Sequence, residues 1–270
     1  MRKPLVALVA AICLTFAAAG TASAAPSWAP ASTAPIHPGV QTDTQGAQCT
    51  ANFVYYDASD VYIGQAAHCA GTGGNTETDG CTAGTLPVGT PVTVDGASKP
   101  GTLAYSSWAT MQANGESDAN TCAYNDISLI KLNAADYGNV NPSVPTLGGP
   151  TGIATSTAQG DTVFSYGNSS LRAGITVLSP KQGVSLGTDG NGWTHQVYTV
   201  TPGIPGDSGS GFMDAAGKAF GVLSTLQIAP LPAANGVSDL SRMLAYMSAH
   251  GGPSVTLANG TEAFTGSIIG

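Results

Sequence analysis

The feature that most constrains the fold is a series of short β-rich runs separated by turn residues. From Cys49 onward, Gly, Asn, Asp and Pro fill the gaps between these runs, and almost no segment has helical periodicity. Many short strands with frequent turn signals are typical of β-sandwiches and β-barrels. The sequence therefore predicts an all-β protein with strands that include Asn52–Tyr56, Val61–Gly64, Pro91–Val94, Ile127–Leu132, Thr162–Tyr166, Ile175–Leu178, His195–Thr201 and Ala219–Leu226.

One segment near the C-terminus departs from this pattern, because four apolar residues recur there at helical spacing: Leu240, Met243, Leu244 and Met247. We predict that Ser238–His250 is the only long helix. Ser238 is a suitable N-cap, Asp239 suits the positive first turn, and Gly251-Gly252 can end the helix.

Composition divides the rest of the chain into segments. The Ala/Pro/Ser/Thr-rich residues 25–45 are interpreted as a leader or pro-segment, and the Pro- and Gly-rich Asn139–Gly152 as a connection between two β units. We expect the first unit over 46–145, the second over 146–252, and a tail over 253–270 that either adds an edge strand or stays loose.

The N-terminus has the pattern of a secretory signal peptide. Arg2 and Lys3 precede an apolar run, and Ala22-Ser23-Ala24 provides small residues for cleavage after about Ala24. The apolar run is shorter than the roughly 18–20 residues that a membrane-spanning helix needs. We therefore expect an exported mature protein, with no membrane segment, of 246 of the 270 residues.

Charge and cysteine content agree with export. Removal of Arg2 and Lys3 moves the formal net charge from −8 to −10, and an acidic chain with few cations offers no surface for nucleic acid. Four cysteines remain, and they allow three disulfide pairings. We favour the sequential pairing, in an oxidising compartment, of Cys49 with Cys69 and Cys81 with Cys122. A zinc site is disfavoured because no CxxC spacing occurs.

The glycine-rich stretch Thr201–Phe212, T-P-G-I-P-G-D-S-G-S-G-F, can hold Ser208 out on a bent backbone. A serine nucleophile needs a nearby base, and histidine is the usual one at neutral pH. His68 is the best candidate, since it follows a strand, small residues precede it, and a bridged Cys69 would pin it. His195 begins a strand that runs toward Ser208 and would be held far from that serine.

A catalytic histidine needs a carboxylate on its far nitrogen. Asp60, Asp126 and Asp161 each precede an apolar strand-like run. Asp60 lies too close to His68 along one extended segment to fold back onto it. The pattern leaves Asp126 and Asp161 as competitors, and each could instead be an Asx-turn residue.

Three motifs occur in the order His, Asp, Ser, with gaps of 58 and 82 residues: Ala66-Ala67-His68-Cys69, Asn125-Asp126-Ile127 and Gly206-Asp207-Ser208-Gly209-Ser210. Together they resemble the chymotrypsin-type serine endopeptidases, especially the secreted bacterial branch, over roughly 47–250. An α/β-hydrolase would require a GxSxG elbow and the reverse order.

The resemblance implies an all-β fold of two six-stranded antiparallel Greek-key barrels with a C-terminal α-helix, and a site in the cleft between the barrels. It implies catalysis by Ser208, His68 and Asp126, and an oxyanion hole formed by the backbone N–H groups of Gly206 and Ser208. The substrate would be a polypeptide bound as a strand against Ser224. No cofactor or metal is implied, a monomer is expected, and protein protease inhibitors are possible partners.

The chain departs from the family pattern in places. The basic activation site of zymogens is absent, so Asp207 lacks the usual N-terminal ammonium partner, and Arg172 is our candidate to replace it. No cysteine braces the nucleophile loop, a role that Pro202 and Pro205 could fill. The expected pocket residues favour a small or medium apolar substrate side chain: Thr201, Pro202, Ser224, Thr225, Leu226 and Gly236.

The sequence has two other interpretations. A catalytically inactive protease homologue, acting as an extracellular binding module, would usually lack one of the three catalytic residues, and all three are present. A calcium site in Asn75-Thr76-Glu77-Thr78-Asp79-Gly80 is disfavoured, because two acids without dense ligand spacing are more typical of a solvated loop.

Overall fold

The computed structural model describes residues 25–74, 77–227 and 232–268. The predicted signal peptide therefore lies outside the described residues, as do Asn75 and Thr76 of the disfavoured calcium site. Within the described ranges, no helix has the length and apolar content needed to cross a bilayer.

The first unit is one curved, half-barrel antiparallel sheet. Its strands are β1 (Gln41–Thr44), β2 (Ala47–Thr50), β3 (Val54–Tyr56), β4 (Val61–Gln65), β5 (Pro91–Val94), β6 (Gly101–Ser106) and β7 (Ser128–Lys131). The chain's last strand, β14 (Thr256–Leu257), adds at one edge, and the order is β14-β3-β4-β7-β6-β5-β1-β2. This unit therefore has eight strands in one sheet instead of the expected closed six.

The second unit is a closed six-stranded barrel with the order β10-β13-β12-β11-β8-β9. Its strands are β8 (Thr162–Tyr166), β9 (Pro180–Asp189), β10 (Thr194–Thr199), β11 (Gly211–Asp214), β12 (Ala219–Leu226) and β13 (Asn235–Asp239). All strand pairs in both units are antiparallel. The predicted all-β, two-unit architecture is confirmed.

Three α-helices accompany these sheets within the described residues: α1 (Ser107–Asn114), α2 (Ala119–Tyr124) and α3 (Leu240–Ala249). The prediction of a C-terminal helix is confirmed, but Asp239 is its N-cap, accepting from the Arg242 N–H, and Ser238 belongs to β13. The helices α1 and α2 were not predicted. They are short and each begins at a side-chain cap, from Ser106 and Asp118 respectively.

Two segments differ from the sequence expectations. Ile175–Leu178 is not a strand. Thr176–Leu178 forms a 3₁₀ turn in which Val177 is 78% exposed, so this apolar run does not enter the core. The tail forms the alternative edge strand, and Phe264 packs edge-on against Phe164 with ring centroids 5.3 Å apart.

Residues 25–45, interpreted from composition as a leader or pro-segment, pack against the first unit. This segment contains β1, and Ile36 is fully buried in an apolar cluster with Val40, Val54 and Val140. The Ala29 N–H also donates to the Val140 carbonyl at 2.9 Å. Tertiary contacts, which composition does not reveal, therefore hold this Pro-rich chain in place.

Replacing Ile36 by Ala should lower the free energy of unfolding by about 2–5 kcal/mol, because it opens a cavity in this core. The matched control is Ile175→Ala at a half-exposed position, expected to change stability by under about 0.5 kcal/mol. Urea denaturation of both variants measures the difference. Equal small effects would mean that residues 25–45 do not support the fold.

Candidate active site

His68 lies in a 3₁₀ turn, Ala67–Ala70, that directly follows β4. Ala66 and Ala67 are fully buried, so the chain turns against the core without room for larger side chains. The next residue, Cys69, is bonded to Cys49, which ties the turn to β2. The imidazole of His68 remains a quarter exposed and faces the cleft between the two units.

Asp126 holds the histidine through two hydrogen bonds. Its Oδ2 lies 2.7 Å from His68 Nδ1, and its Oδ1 accepts from the His68 backbone N–H at 2.9 Å. The Ser224 hydroxyl donates to the same Oδ2 at 2.6 Å. These contacts fix the carboxylate, the ring and β12 relative to one another.

The electrostatics of this pair follow from burial and mutual charge. Burial raises the pKa of Asp126, but the His68 ring, the Ser224 hydroxyl and the His68 backbone N–H outweigh it and lower the pKa below its usual value. Burial lowers the pKa of His68, but the charge and hydrogen bond of Asp126 raise it overall. Asp126 is thus ionised at neutral pH, and since a carboxylate only accepts, His68 Nδ1 carries the proton and Nε2 is the free base.

The competing residues of the sequence are used elsewhere. Asp161 accepts the Ala158 backbone N–H at 2.7 Å, a local contact with the turn that precedes it. Asp60 accepts from the Tyr137 hydroxyl at 2.8 Å. His195 is buried in the second barrel, where its Nε2 lies 2.8 Å from Asp239 Oδ2, so it does not reach the cleft.

Ser208 lines the same cleft as His68 and Asp126, a space of about 700 Å³. Its backbone is held on both sides: the Thr50 N–H donates to the Ser208 carbonyl, and the Gly209 N–H to the Leu223 carbonyl, each at 2.8 Å. Gly209 has a φ of +88°, and a Cβ there would lie 2.6 Å from the Thr50 carbonyl oxygen. Only glycine therefore allows this turn to approach β2 so closely.

The backbone N–H groups of Gly206 and Ser208 donate to no described residue. By contrast, the Gly206 carbonyl is well anchored, accepting from Thr50 Oγ1 at 2.8 Å and Gln48 Nε2 at 3.0 Å. Gly206 has a φ of +95°, which favours glycine. This anchored turn leaves two unused donors next to the Ser208 side chain.

Asp207, between those two donors, is fully buried and multiply bonded. Its Oδ2 lies 2.5 Å from Arg172 Nη2, which is the partner expected from the sequence. The same oxygen lies 3.0 Å from Lys181 Nζ, and the backbone N–H groups of Ser169 and Ile204 donate to the carboxylate at 3.0 and 3.2 Å. The nucleophile turn is thus attached to Ser169, to the 3₁₀ turn Ser170–Arg172 that follows it, and to β9.

Lys181 was missed by the sequence analysis. Its side chain is fully buried and also donates to the Thr201 and Pro202 carbonyls at 3.2 and 3.4 Å. Burial lowers the pKa of Lys181 and Arg172 lowers it further, although Asp207 acts in the opposite direction. A single lysine at the start of a strand carries no signal of burial, so only the small number of cations in the chain could have drawn attention to it.

The pocket beside Ser208 differs in part from the expected one. Ser224, Thr225 and Leu226 line the cleft, but Thr201, Pro202 and Gly236 do not. Thr201 and Pro202 instead turn their carbonyls toward Lys181, and Gly236 faces Thr225 within the sheet. The remaining wall is formed by Gly203, Ile204, Leu223 and Asn235.

Asn235 fixes the shape of this wall. Its buried side-chain oxygen accepts the Gly203 N–H at 2.8 Å, and its amide nitrogen lies 3.3 Å from the Gly203 and Thr225 carbonyls. A Cβ at Gly203 would lie 2.7 Å from Leu223 Cδ2. The wall therefore combines the apolar side chains of Ile204, Leu223 and Leu226 with one amide that is already occupied by the backbone.

The four cysteines among the described residues form the two expected disulfides, Cys49–Cys69 and Cys81–Cys122. Among the described residues, the convergent groups of potential metal ligands are Cys49 with His68 and Cys69, and Asp79 with Cys81 and Cys122. Disulfide sulfurs are not thiolates, so neither group offers a thiolate site for zinc.

Comparison with known proteins supports this architecture. No protein-family model matches the chain, and no curated protein matches it. Among solved structures, Thermobifida fusca Protease A is similar with a TM-score of 0.55 and 17% identity, over 83% of this chain and 99% of the other. A Glu endopeptidase in complex with MPD is similar with a TM-score of 0.50 and 15% identity, over 78% of this chain and 89% of the other. The chain therefore has the chymotrypsin-like fold of bacterial serine proteases.

Proposed function

We propose that the protein is a secreted serine endopeptidase that hydrolyses peptide bonds through an acyl-enzyme intermediate. The observation that carries this proposal is the His68–Asp126 pair at 2.7 Å, which faces the same cleft as Ser208 on a chymotrypsin-like fold. The predicted signal peptide and the two disulfides support an extracellular location.

The proposed chemistry uses the protonation states derived above. His68 Nε2 accepts the Ser208 hydroxyl proton while Oγ attacks the scissile carbonyl carbon. The imidazolium that forms is stabilised by Asp126, and it then gives the proton to the leaving amine. Water hydrolyses the acyl-enzyme by the same steps, with His68 again acting first as base and then as acid.

The unused N–H groups of Gly206 and Ser208 are the proposed oxyanion hole. Both lie in a turn that is anchored by the Asp207–Arg172 ion pair and by the hydrogen bonds of Thr50 and Gln48 to the Gly206 carbonyl. The donors are therefore oriented before substrate arrives. Donors that need no rearrangement stabilise the developing negative charge most effectively, and losing one typically reduces the rate by about 100- to 1000-fold.

The substrate backbone is proposed to pair with β12 at Ser224. The register of β12 on β13 shifts between Leu223 and Thr225, so Ser224 has no partner in β13. Its side chain is occupied by Asp126, which leaves its main chain for the substrate. The pocket walls formed by Leu223, Leu226 and Ile204 support a small or medium apolar side chain next to the scissile bond.

Labelling with a serine-directed fluorophosphonate tests the function directly. The oxidised, folded protein should be labelled, and Ser208→Ala should abolish both labelling and turnover, the latter by about 10⁶-fold. Absence of Ser208-dependent labelling in folded protein would instead favour an inactive homologue that acts as a binding module.

The pH dependence of kcat/KM should report His68. Its neutral form is the base, and its pKa is raised, so activity should fall toward acid with a midpoint above the ordinary histidine value of about 6.5. Asp126→Asn removes the group that raises this pKa while burial still lowers it. The midpoint should therefore move to lower pH, and kcat should fall by about 10⁴-fold. An unchanged midpoint in Asp126→Asn would contradict the assigned pair.

The two cations at Asp207 should partly replace each other. Arg172→Met and Lys181→Met should each leave a paired carboxylate, whereas the double variant leaves a buried charge unpaired, at about 3–5 kcal/mol. We expect a double-variant loss larger than the sum of the single losses, measured by urea denaturation and by the rate of Ser208 labelling. Strictly additive losses would show that the two cations do not share this role.

A further inference from the structure

The active-site cleft extends past His68, away from the pocket beside Ser208. This far end is lined by residues 46–49 of the first unit and by the loop that follows Gly71, including Gly73, Glu77 and Thr78. Glycines leave it open, and Glu77 is exposed. We refer to it as the distal end of the cleft.

Glu77 gives the distal end a negative charge. Among the described residues that line the cleft, the carboxylates are Glu77 and Asp126, and no lysine or arginine lines it. Asp126 is buried and already holds His68, so its charge is used within the site. Glu77 makes no ion pair with any described residue, and its carboxylate lies beside the Gly73 backbone at the edge of the cleft.

A second, smaller cavity of about 380 Å³ adjoins this end and shares Glu77 and Thr78 with it. Asp79 also lines this cavity, and its Oδ1 accepts the Cys81 backbone N–H at 2.9 Å, which leaves Oδ2 as its available oxygen. The loop around it is attached to the body of the protein: the Gly80 N–H donates to the Cys122 carbonyl at 2.8 Å, and Cys81 is bonded to Cys122. Glu77 is therefore presented by a loop that is tied down three residues later.

The distal end receives the leaving half of a substrate. The acyl half pairs with Ser224 and places its side chain against Leu223 and Asn235, on the other side of Ser208. His68 protonates the leaving amine, so the chain beyond the scissile bond must run past His68 toward Glu77. This placement rests on the proposed function, since it uses His68 as the general acid.

From this geometry we infer that Glu77, with Asp79, selects substrates that carry a lysine or arginine at the first or second position after the scissile bond. An ammonium or guanidinium group there would pair with an exposed carboxylate that has no ionic partner among the described residues, whereas an acidic residue would be repelled. Partly exposed ion pairs are weak, so the expected preference is modest, about threefold for Lys over Gln and about tenfold for Lys over Glu.

The test uses internally quenched peptides that are identical up to the scissile bond. They differ only in carrying Lys, Gln or Glu at the first or second position after it. The measured quantity is kcat/KM at about 0.05 M and about 1 M salt, since screening should reduce the preference at high salt. Wild-type protein should prefer Lys at low salt at one or both positions.

Three variants identify the source of the preference. Glu77→Gln should bring the Lys-to-Glu ratio close to one, and Glu77→Lys should invert it. Glu262→Gln makes the same change of net charge on the exposed tail, outside the cleft, and should keep the wild-type ratio. A ratio that is unchanged in Glu77→Gln, or lost equally in Glu262→Gln, would overturn the inference.

A short activated ester, which has no residue after the scissile bond, separates this inference from the proposed function. Ser208-dependent ester hydrolysis should be the same in wild type and Glu77→Gln, because neither the acyl pocket nor the catalytic groups involve Glu77. Normal ester hydrolysis with no peptide preference would refute the role of Glu77 alone. Absence of Ser208-dependent ester hydrolysis would refute the proposed function, and with it the basis for the inference.

Discussion

The buried carboxylate of Asp207 is the interaction on which the rest of the site depends. A carboxylate with no exposure to water must find charged partners inside the protein, because an isolated buried charge is strongly disfavoured. Arg172 and Lys181 meet this requirement from two different segments, and they bind the Pro202 carbonyl as well. Because the buried charge of Asp207 requires these partners, it fixes both the nucleophile turn and the segment that leads into it.

This arrangement also explains how the two units form one site. The nucleophile turn belongs to the second unit, but Thr50 of β2 bonds it at two points, through its N–H to Ser208 and its hydroxyl to Gly206. The neighbouring Cys49 is bridged to Cys69, beside His68. Both the turn that carries His68 and the turn that carries Ser208 are thus attached to β2, the first at Cys49 and the second at the adjacent Thr50. Relative movement of the two units would have to break this short connection.

Much of the site could be predicted because it depends on local patterns. Strand limits such as Thr162–Tyr166 and Ala219–Leu226 were predicted correctly, since apolar runs bounded by turn residues are a local signal. The resemblance singled out Asp126, and in the structure its carboxylate is hydrogen-bonded to the His68 ring. The spacing of the motifs establishes their order along the chain, but it gives no information about the buried residues that pack against them.

The features that were missed depend on contacts between distant residues. Ile36 is buried only because Val140 and Val54 lie against it, and composition alone made its segment resemble a leader. Helices as short as α1 and α2 are not stable in isolation, and their limits come from caps and from the Cys81–Cys122 bridge. The pocket was assigned by counting back from Ser208, which cannot account for Pro202 turning inward to Lys181.

Three carboxylates of this sparsely charged chain connect distant segments. Asp126 with His68, Asp207 with Arg172 and Asp239 with His195 join residues that are 58, 35 and 44 positions apart. Each pair is largely shielded from solvent, where water competes less for the hydrogen bond that joins its members. Only 9% of residues are charged, so the remaining surface is mostly neutral. No lysine or arginine among the described residues lines the cleft, so Glu77 adds there to the negative potential that a chain of formal net charge −8 presents to an approaching peptide.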